Sequence, residues 1–293
     1  MDEPTRHFDR LRPRLQAIAY RMLGSLAEAE EVVQDSWLAW HEADRQALAN
    51  PEAWLVTVAT RLAIDRLRQA KRQREQYPGI WLPEPLMTEA PATPEDLLER
   101  AGELSYAVLA LLERLSPESR AAFLLREVFD VEYAELSRLL GKAESACRQL
   151  VHRARTQLRE ARPRYAVPPD THLRLMRGFA QAAGSGDLTQ LRALLADEAE
   201  LLGDGGGKVA SFPGPLRGGE RIAMLFYAGV RRFGLEALRI ELVHLNGQWG
   251  LLRHVQGELE SALSFETDGE RILRIHVQRN PDKLARLRAA HPG

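Results

Sequence analysis

Apolar residues Phe8, Leu11, Leu15, Ile18, Ala19 and Met22 recur at three- and four-residue steps, which predicts an amphipathic helix over residues 4–22. Ser25-Leu-Ala-Glu28 has the spacing of a capping box and starts a second helix at Leu26, running to about Ala43. Asn50 followed by Pro51 is an N-cap with proline at the first helical position, and the helix continues through Trp54, Val58, Leu62 and Leu67 to about Glu75. Residues 1–77 therefore read as one all-helical unit. Five prolines between 78 and 94 exclude a helix there and mark a linker. Trp81, Leu82 and Leu86 are apolar for a free linker and are expected to pack on something. Helices resume near Glu95 and run to Glu113, and Ser116-Pro117 opens another.

Tyr133 to Leu158 reads as a helix, a tight turn and a second helix. Leu136, Leu139 and Leu140 form an apolar face, Gly141 supplies the turn, and Cys147, Leu150, Val151, Ala154 and Leu158 form the inward face of the second helix. Arg148, His152, Arg155 and Arg159 fall at steps of four, three and four on the outward face. This is the build of a helix-turn-helix whose second helix can enter a DNA major groove. The second helical unit spans residues 95–165.

Pro168-Pro169 marks the next boundary, and the pattern changes beyond it. Leu175, Met176, Phe179, Ala180 and Ala183 line a helix, Gly186-Asp187 opens a shorter one, and Ile222 to Phe233 forms another. Alternation follows in Leu238–Leu245 and Trp249–Val255 around Asn246-Gly247, a strong hairpin signal. Two more strands are predicted near Leu259–Glu266 and Arg271–Gln278. Helices followed by a meander make an α+β domain over residues 170–284.

Composition adds limits. With 45% hydrophobic and 28% charged residues, the 293-residue chain has the make-up of a folded, soluble multidomain protein. No apolar run is long enough for a membrane span, no signal peptide is visible, and a cytoplasmic location is expected. The single cysteine, Cys147, allows no internal disulfide and no thiolate zinc cluster. No cofactor is expected.

The formal net charge of −1 argues at first against a nucleic-acid partner, but the distribution reverses that impression. Arg61 to Arg74 carries six Lys/Arg against Asp65, and Arg138 to Arg164 carries eight against Glu144 and Glu160. Acids gather at Glu28–Asp44 and Glu84–Glu103. Such stripes are often only solvated helix faces. Here one of them lies on the helix-turn-helix, which favours two DNA contacts and a different partner for the acidic faces.

Three segments carry a family resemblance: Glu30-Glu-Val-Val-Gln-Asp-Ser-Trp-Leu-Ala-Trp40, Trp54 to Arg68, and Ser116-Pro117 with Tyr133 to Arg155. They resemble regions 2 and 4 of an extracytoplasmic-function sigma factor of bacterial RNA polymerase. The third unit resembles the SnoaL-like members of the ketosteroid-isomerase superfamily, a cone-shaped α+β barrel. One subgroup of these sigma factors carries such an extension, whose marks here are Trp81-Leu-Pro-Glu-Pro85, Asp204-Gly-Gly-Gly-Lys208 and Asn280-Pro-Asp-Lys-Leu284.

The resemblance implies that Glu31, Gln34, Asp35, Trp37 and Leu38 dock on the β′ clamp of core polymerase, with the β flap as a further contact. For Trp37, a place in the core is the competing reading. Arg61, Asp65, Arg66, Arg68 and Lys71, with the loop before their helix, would melt and hold the −10 element. The loop His41 to Asn50 carries no aromatic residue beyond His41. Ser145, Arg148, Gln149, His152, Arg153 and Arg155 would meet the −35 element, where Arg pairs with guanine and Gln with adenine. Trp81, Leu82, Pro83, Asp204, Lys208, Asn280, Pro281, Asp282, Lys283 and Leu284 would tie the extension to the helical units and regulate them.

The protein is expected not to be an enzyme. A rival is an isomerase- or cyclase-like enzyme, or a sensor of an unknown small-molecule ligand, fused to a DNA-binding module. His244, His254, His276 and Asp204 are its acid–base candidates, and Tyr227, on a predicted helix, is the phenol it would use. Asp204-Gly-Gly-Gly-Lys208 lacks the spacing and trailing Ser/Thr of a phosphate loop, so its glycines are read as allowing close backbone packing.

Overall fold

A computed structural model describes residues 3–74, 76–88, 105–161 and 167–290. The predicted helical stretch 95–104, the linker residues 89–94, and Arg162 and Arg164 lie outside the described residues. The chain forms two compact units, one of residues 1–76 with 111–161, the other of residues 77–110 with 162–293.

In the first unit α1 (Glu3–Leu23), α2 (Leu26–Glu42) and α3 (Pro51–Arg74) pack against one another. Ser25 caps α2 through its side chain, and the Asn50 side chain accepts the Ala53 N–H at 3.0 Å to open α3, as the sequence predicts. Phe8, Leu15, Ile18 and Met22 are fully buried, confirming the predicted face of α1. The chain continues through α4 (Tyr106–Leu112), within which the two units divide. Then follow α5 (Pro117–Glu127), capped by Ser116, α6 (Tyr133–Leu140) and α7 (Glu144–Ala161).

The termini of α1 explain how these helices are joined. The last carbonyls of a helix have no partner within it. Arg120 of α5 donates to the Arg21 carbonyl through Nε and Nη2, at 3.2 and 2.9 Å, and Arg74 of α3 donates to the Leu23 carbonyl at 2.8 Å. Both guanidiniums also hold Glu113. Two cations at a helix C-terminus are favoured by its dipole, and the shared carboxylate offsets their charge. Arg120 is 1% exposed, so this is a buried junction rather than a surface contact.

The second unit contains α8 (Pro169–Ser185), α9 (Leu188–Leu194), β1 (Leu195–Asp204), β2 (Leu216–Arg217), α10 (Gly219–Phe233), β3 (Leu238–Leu245), β4 (Gln248–Val255), β5 (Glu258–Thr267), β6 (Ile272–Gln278) and α11 (Pro281–Ala290). The sheet order is β2-β1-β6-β5-β4-β3. Strands β3 to β6 form the predicted antiparallel meander. The sequence reading does not include β1, which pairs in parallel with β6, or α11. Leu195-Ala-Asp-Glu-Ala-Glu-Leu is rich in helix formers, and its strand conformation comes from pairing with a segment some 75 residues away.

Neighbouring residues of a strand enter different cores. Leu251, Leu263, Phe265, Ile275 and Val277 meet Phe179, Ile222 and Phe226 of the helices. Leu252, Ala262, Val243 and Leu245 meet Leu284 and Leu287 of α11 and Met87 of the linker. The sheet is therefore covered on both faces, by helices on one and by α11 and linker on the other.

Candidate nucleic-acid interface and the linker clamp

Gly141 ends α6 in the left-handed conformation at φ 61°, and its N–H bonds the Ser137 carbonyl, giving the sharp turn the sequence predicts. Cys147, Val151, Ala154 and Leu158 of α7 are buried, and Leu150 packs at the edge of the same core. Ser145, Arg148, Gln149, His152, Arg153, Arg155 and Arg159 are all exposed. Two of the arginines are held in place. Arg148 contacts Glu144 at 3.2 Å and lies 4.2 Å over the Tyr133 ring, and Arg155 reaches Glu127 at 2.8 Å. A guanidinium stacked on a ring loses less rotamer freedom when it meets an acceptor.

On α3, Arg61, Asp65, Arg68 and Lys71 are exposed and Arg66 is half-buried. Arg66 binds both Asp35, at 2.7 Å, and Glu31 of α2. Arg68 binds Asp65 at 3.0 Å and Glu118 of α5 at 2.8 Å. The resemblance assigns Glu31 and Asp35 to the polymerase and Arg66 to DNA, whereas the fold pairs these three with each other. A phosphate approaching Arg66 or Arg68 has to compete with a carboxylate already there.

On α2, Trp37 is half-buried, edge-on to Phe8 with ring centroids 5.0 Å apart. Trp40 is in the core, its indole N–H bonded to the Pro4 carbonyl at 3.1 Å. Leu38 stays 54% exposed beside Gln34 and Asp35, the only large exposed apolar side chain among the described residues of this unit. Between α2 and α3, Asp44 caps a short turn at Arg45–Ala47.

In the second unit the three sequence marks meet. Asp204, fully buried, accepts from the Tyr77 hydroxyl at 2.6 Å, the Gly206 N–H at 2.9 Å and the Leu82 N–H at 2.9 Å. Gln278 and Lys283 complete the set at 3.3 and 2.7 Å. The Lys283 ammonium also reaches the Leu82 carbonyl at 2.6 Å and sits 3.9 Å over the Trp81 ring. Burial and the Asp204 carboxylate together push the Tyr77 phenol well above its ordinary pKa, so it remains a donor.

Gly206 and Gly207 have φ of +65° and +69°, and a Cβ there would lie 2.4 Å from the Asn280 side chain and 2.5 Å from Pro78. The glycine run thus has the packing role expected of it. Asn280 opens α11 by accepting the Asp282 N–H at 3.1 Å and also donates to Tyr77. Pro281 takes the first turn of α11, and Leu284 is buried. Pro83 is buried and accepts from the Tyr106 hydroxyl at 2.7 Å. Lys208 and Asp282 form an exposed pair at 2.6 Å.

Three of the acid–base candidates, His276, His244 and Asp204, have different partners. His276 donates or accepts at 2.8 Å with Glu266, on the linker-covered face near Tyr106. Burial would raise the pKa of Glu266, but His276 and Arg274 bring it below its usual value. His244 packs edge-on to Trp249, 4.3 Å between centroids, while Asp204 belongs to the clamp. Sequence reasoning missed Tyr77, Gln278 and Arg120, because a lone polar residue at a segment end carries no periodic signal.

Comparison with known proteins agrees with this geometry. Residues 7–73 match the family model for Sigma-70 region 2, and residues 105–158 match that for Sigma-70 region 4. The chain is 37% identical over 246 residues to the ECF RNA polymerase sigma factor SigJ of Mycobacterium tuberculosis, covering 83% of this chain and 78% of that protein. It is 30% identical over 276 residues to the probable ECF sigma factor SigI of the same organism, covering 93% and 91%. The crystal structure of M. tuberculosis SigJ superposes with a TM-score of 0.76 at 31% identity, covering 96% of this chain and 98% of that one. With both sigma regions present in order and relatives similar along most of its length, the chain belongs to the extracytoplasmic-function sigma factors of RNA polymerase, here with a fused C-terminal α+β domain.

Proposed function

We propose that this sigma factor binds core polymerase through α2, reads the −35 element with α7 and the −10 element with α3, and is modulated by its own C-terminal domain. The observation that carries this reading is α7, whose inner face is a closed apolar core while its outer face carries a row of exposed Arg, Gln and His. Leu38, exposed among Glu31, Gln34 and Asp35, supports docking of α2 on the β′ clamp, and the β flap is the second polymerase contact. The C-terminal domain acts through the Tyr77–Leu86 linker, which it holds by Asp204 and Lys283, and it is not catalytic. No described helix is long and apolar enough to cross a membrane, and the work of a sigma factor belongs in the cytoplasm. The enzyme reading is less well supported, since His244, His276 and Asp204 have different partners.

Run-off transcription tests the whole reading. Adding the purified chain to bacterial core enzyme should produce specific starts on genomic fragments that core enzyme alone does not initiate. Absence of any specific start would refute it.

Within α7, Arg148→Ala should cost about 1–3 kcal/mol and relax preference at one or two base pairs. Arg159→Ala should lower affinity evenly and reduce the salt slope by about one unit. Binding to a panel of −35 variants at several salt concentrations separates the two, and identical sequence-independent losses would contradict the assignment.

A further inference from the structure

The helix-facing side of the C-terminal sheet is apolar along most of its length, with Leu251, Leu263 and Val277 side by side on β4, β5 and β6. One step further along these strands the character changes. Arg253 stands opposite Ser261, and an extra residue in β5, Glu260, bulges beside it. Arg253 Nη1 lies 3.5 Å from Glu260 Oε2. Arg279, which follows β6, pairs with the other oxygen of Glu260 and donates to the Ala210 carbonyl.

Several donors are left over. Ser261 is 1% exposed, and its hydroxyl has no hydrogen-bond partner among the described residues. The Nε of Arg279 is buried and equally without one. Arg253 has five N–H donors, its side chain is 18% exposed, and its one side-chain hydrogen bond among the described residues is the long contact to Glu260. Burial draws the Arg253 pKa down, Glu260 opposes this, and the charge of Arg279 adds to it. Buried donors are as a rule satisfied, and buried charges are paired. Two guanidiniums against one carboxylate leave one positive charge in excess. Helix α10 passes over the cluster at Gly229, where an added Cβ would come 2.8 Å from Arg253 Nη2.

We propose that Arg253, Ser261 and Arg279 form a binding site for a small carboxylate. A carboxylate accepts only, carries a single charge and matches a guanidinium in bidentate geometry. Phosphate near neutral pH carries about −1.5 to −2 and would leave negative charge uncompensated. The site is independent of the sigma reading and of the linker clamp, which takes the opposite-facing Gln278, and its test needs no polymerase.

The test is calorimetric titration of the full chain with acetate, benzoate and inorganic phosphate, with chloride as the ionic-strength control. Acetate or benzoate should give saturable 1:1 binding. Ser261→Ala, a small change that circular dichroism should show to be folded, should weaken it about tenfold, the scale of one charge-assisted hydrogen bond. Arg253→Lys keeps the charge but loses the planar fork and should weaken it at least as much. Gly229→Ala should also reduce binding by crowding the guanidinium. Lack of saturable carboxylate binding, phosphate binding tighter than either carboxylate, or affinity indifferent to S261A and R253K would overturn the proposal.

Discussion

Arg120→Ala should destabilise the N-terminal unit by about 3–5 kcal/mol, the scale for removing one member of a buried, hydrogen-bonded ion cluster. Three losses combine. The Arg21 carbonyl at the end of α1 loses both of its guanidinium donors. Among the described residues Glu113 keeps only Arg74, and a side chain 1% exposed leaves a cavity. Arg120→Met separates these contributions: it fills most of the volume and removes the charge, so it should cost clearly less than alanine. The measurement is denaturant unfolding of the full chain, followed by a probe in the N-terminal unit, because two units need not unfold in one transition. An unfolding free energy for R120A within about 1 kcal/mol of wild type would show that the junction is incidental.

Asp204→Asn should release the linker. Five donors converge on one buried carboxylate, and an amide can accept at only one of its two heavy atoms. The NH2 end would face donors, and Lys283, 12% exposed, would lose its ion pair with Asp204. The expected loss is about 3–5 kcal/mol in the C-terminal unit. Limited proteolysis at Tyr77–Leu86 should become markedly faster, and promoter-dependent initiation should change while binding to core polymerase does not. Lys283→Met in the same chain removes the ammonium left facing the amide and should restore part of the stability. Unchanged proteolysis and unchanged initiation in D204N would refute the clamp as a regulatory tie.

Elements whose signals are local can be read from the order of residues. Apolar spacing placed α1, α3 and α7, the capping residues Ser25, Asn50 and Ser116 set three helix starts, and Asn246-Gly247 placed a hairpin. The outward row on α7 follows from helical geometry alone, so the exposure of those residues was legible without a fold. Features that depend on distant partners emerge only from the fold. Strand β1 is helix-like in composition and becomes a strand only beside β6. Arg66 and Arg68 read as free DNA-facing cations, but the packing of α2, α3 and α5 gives them carboxylates. Arg120 carries no sequence signal, and it is buried because the end of α1 offers it a carbonyl and Glu113 offers it a carboxylate. Periodicity specifies which face of an element is apolar. Which of many identical charges meet across the fold depends on side-chain reach and desolvation at distances the chain order does not encode.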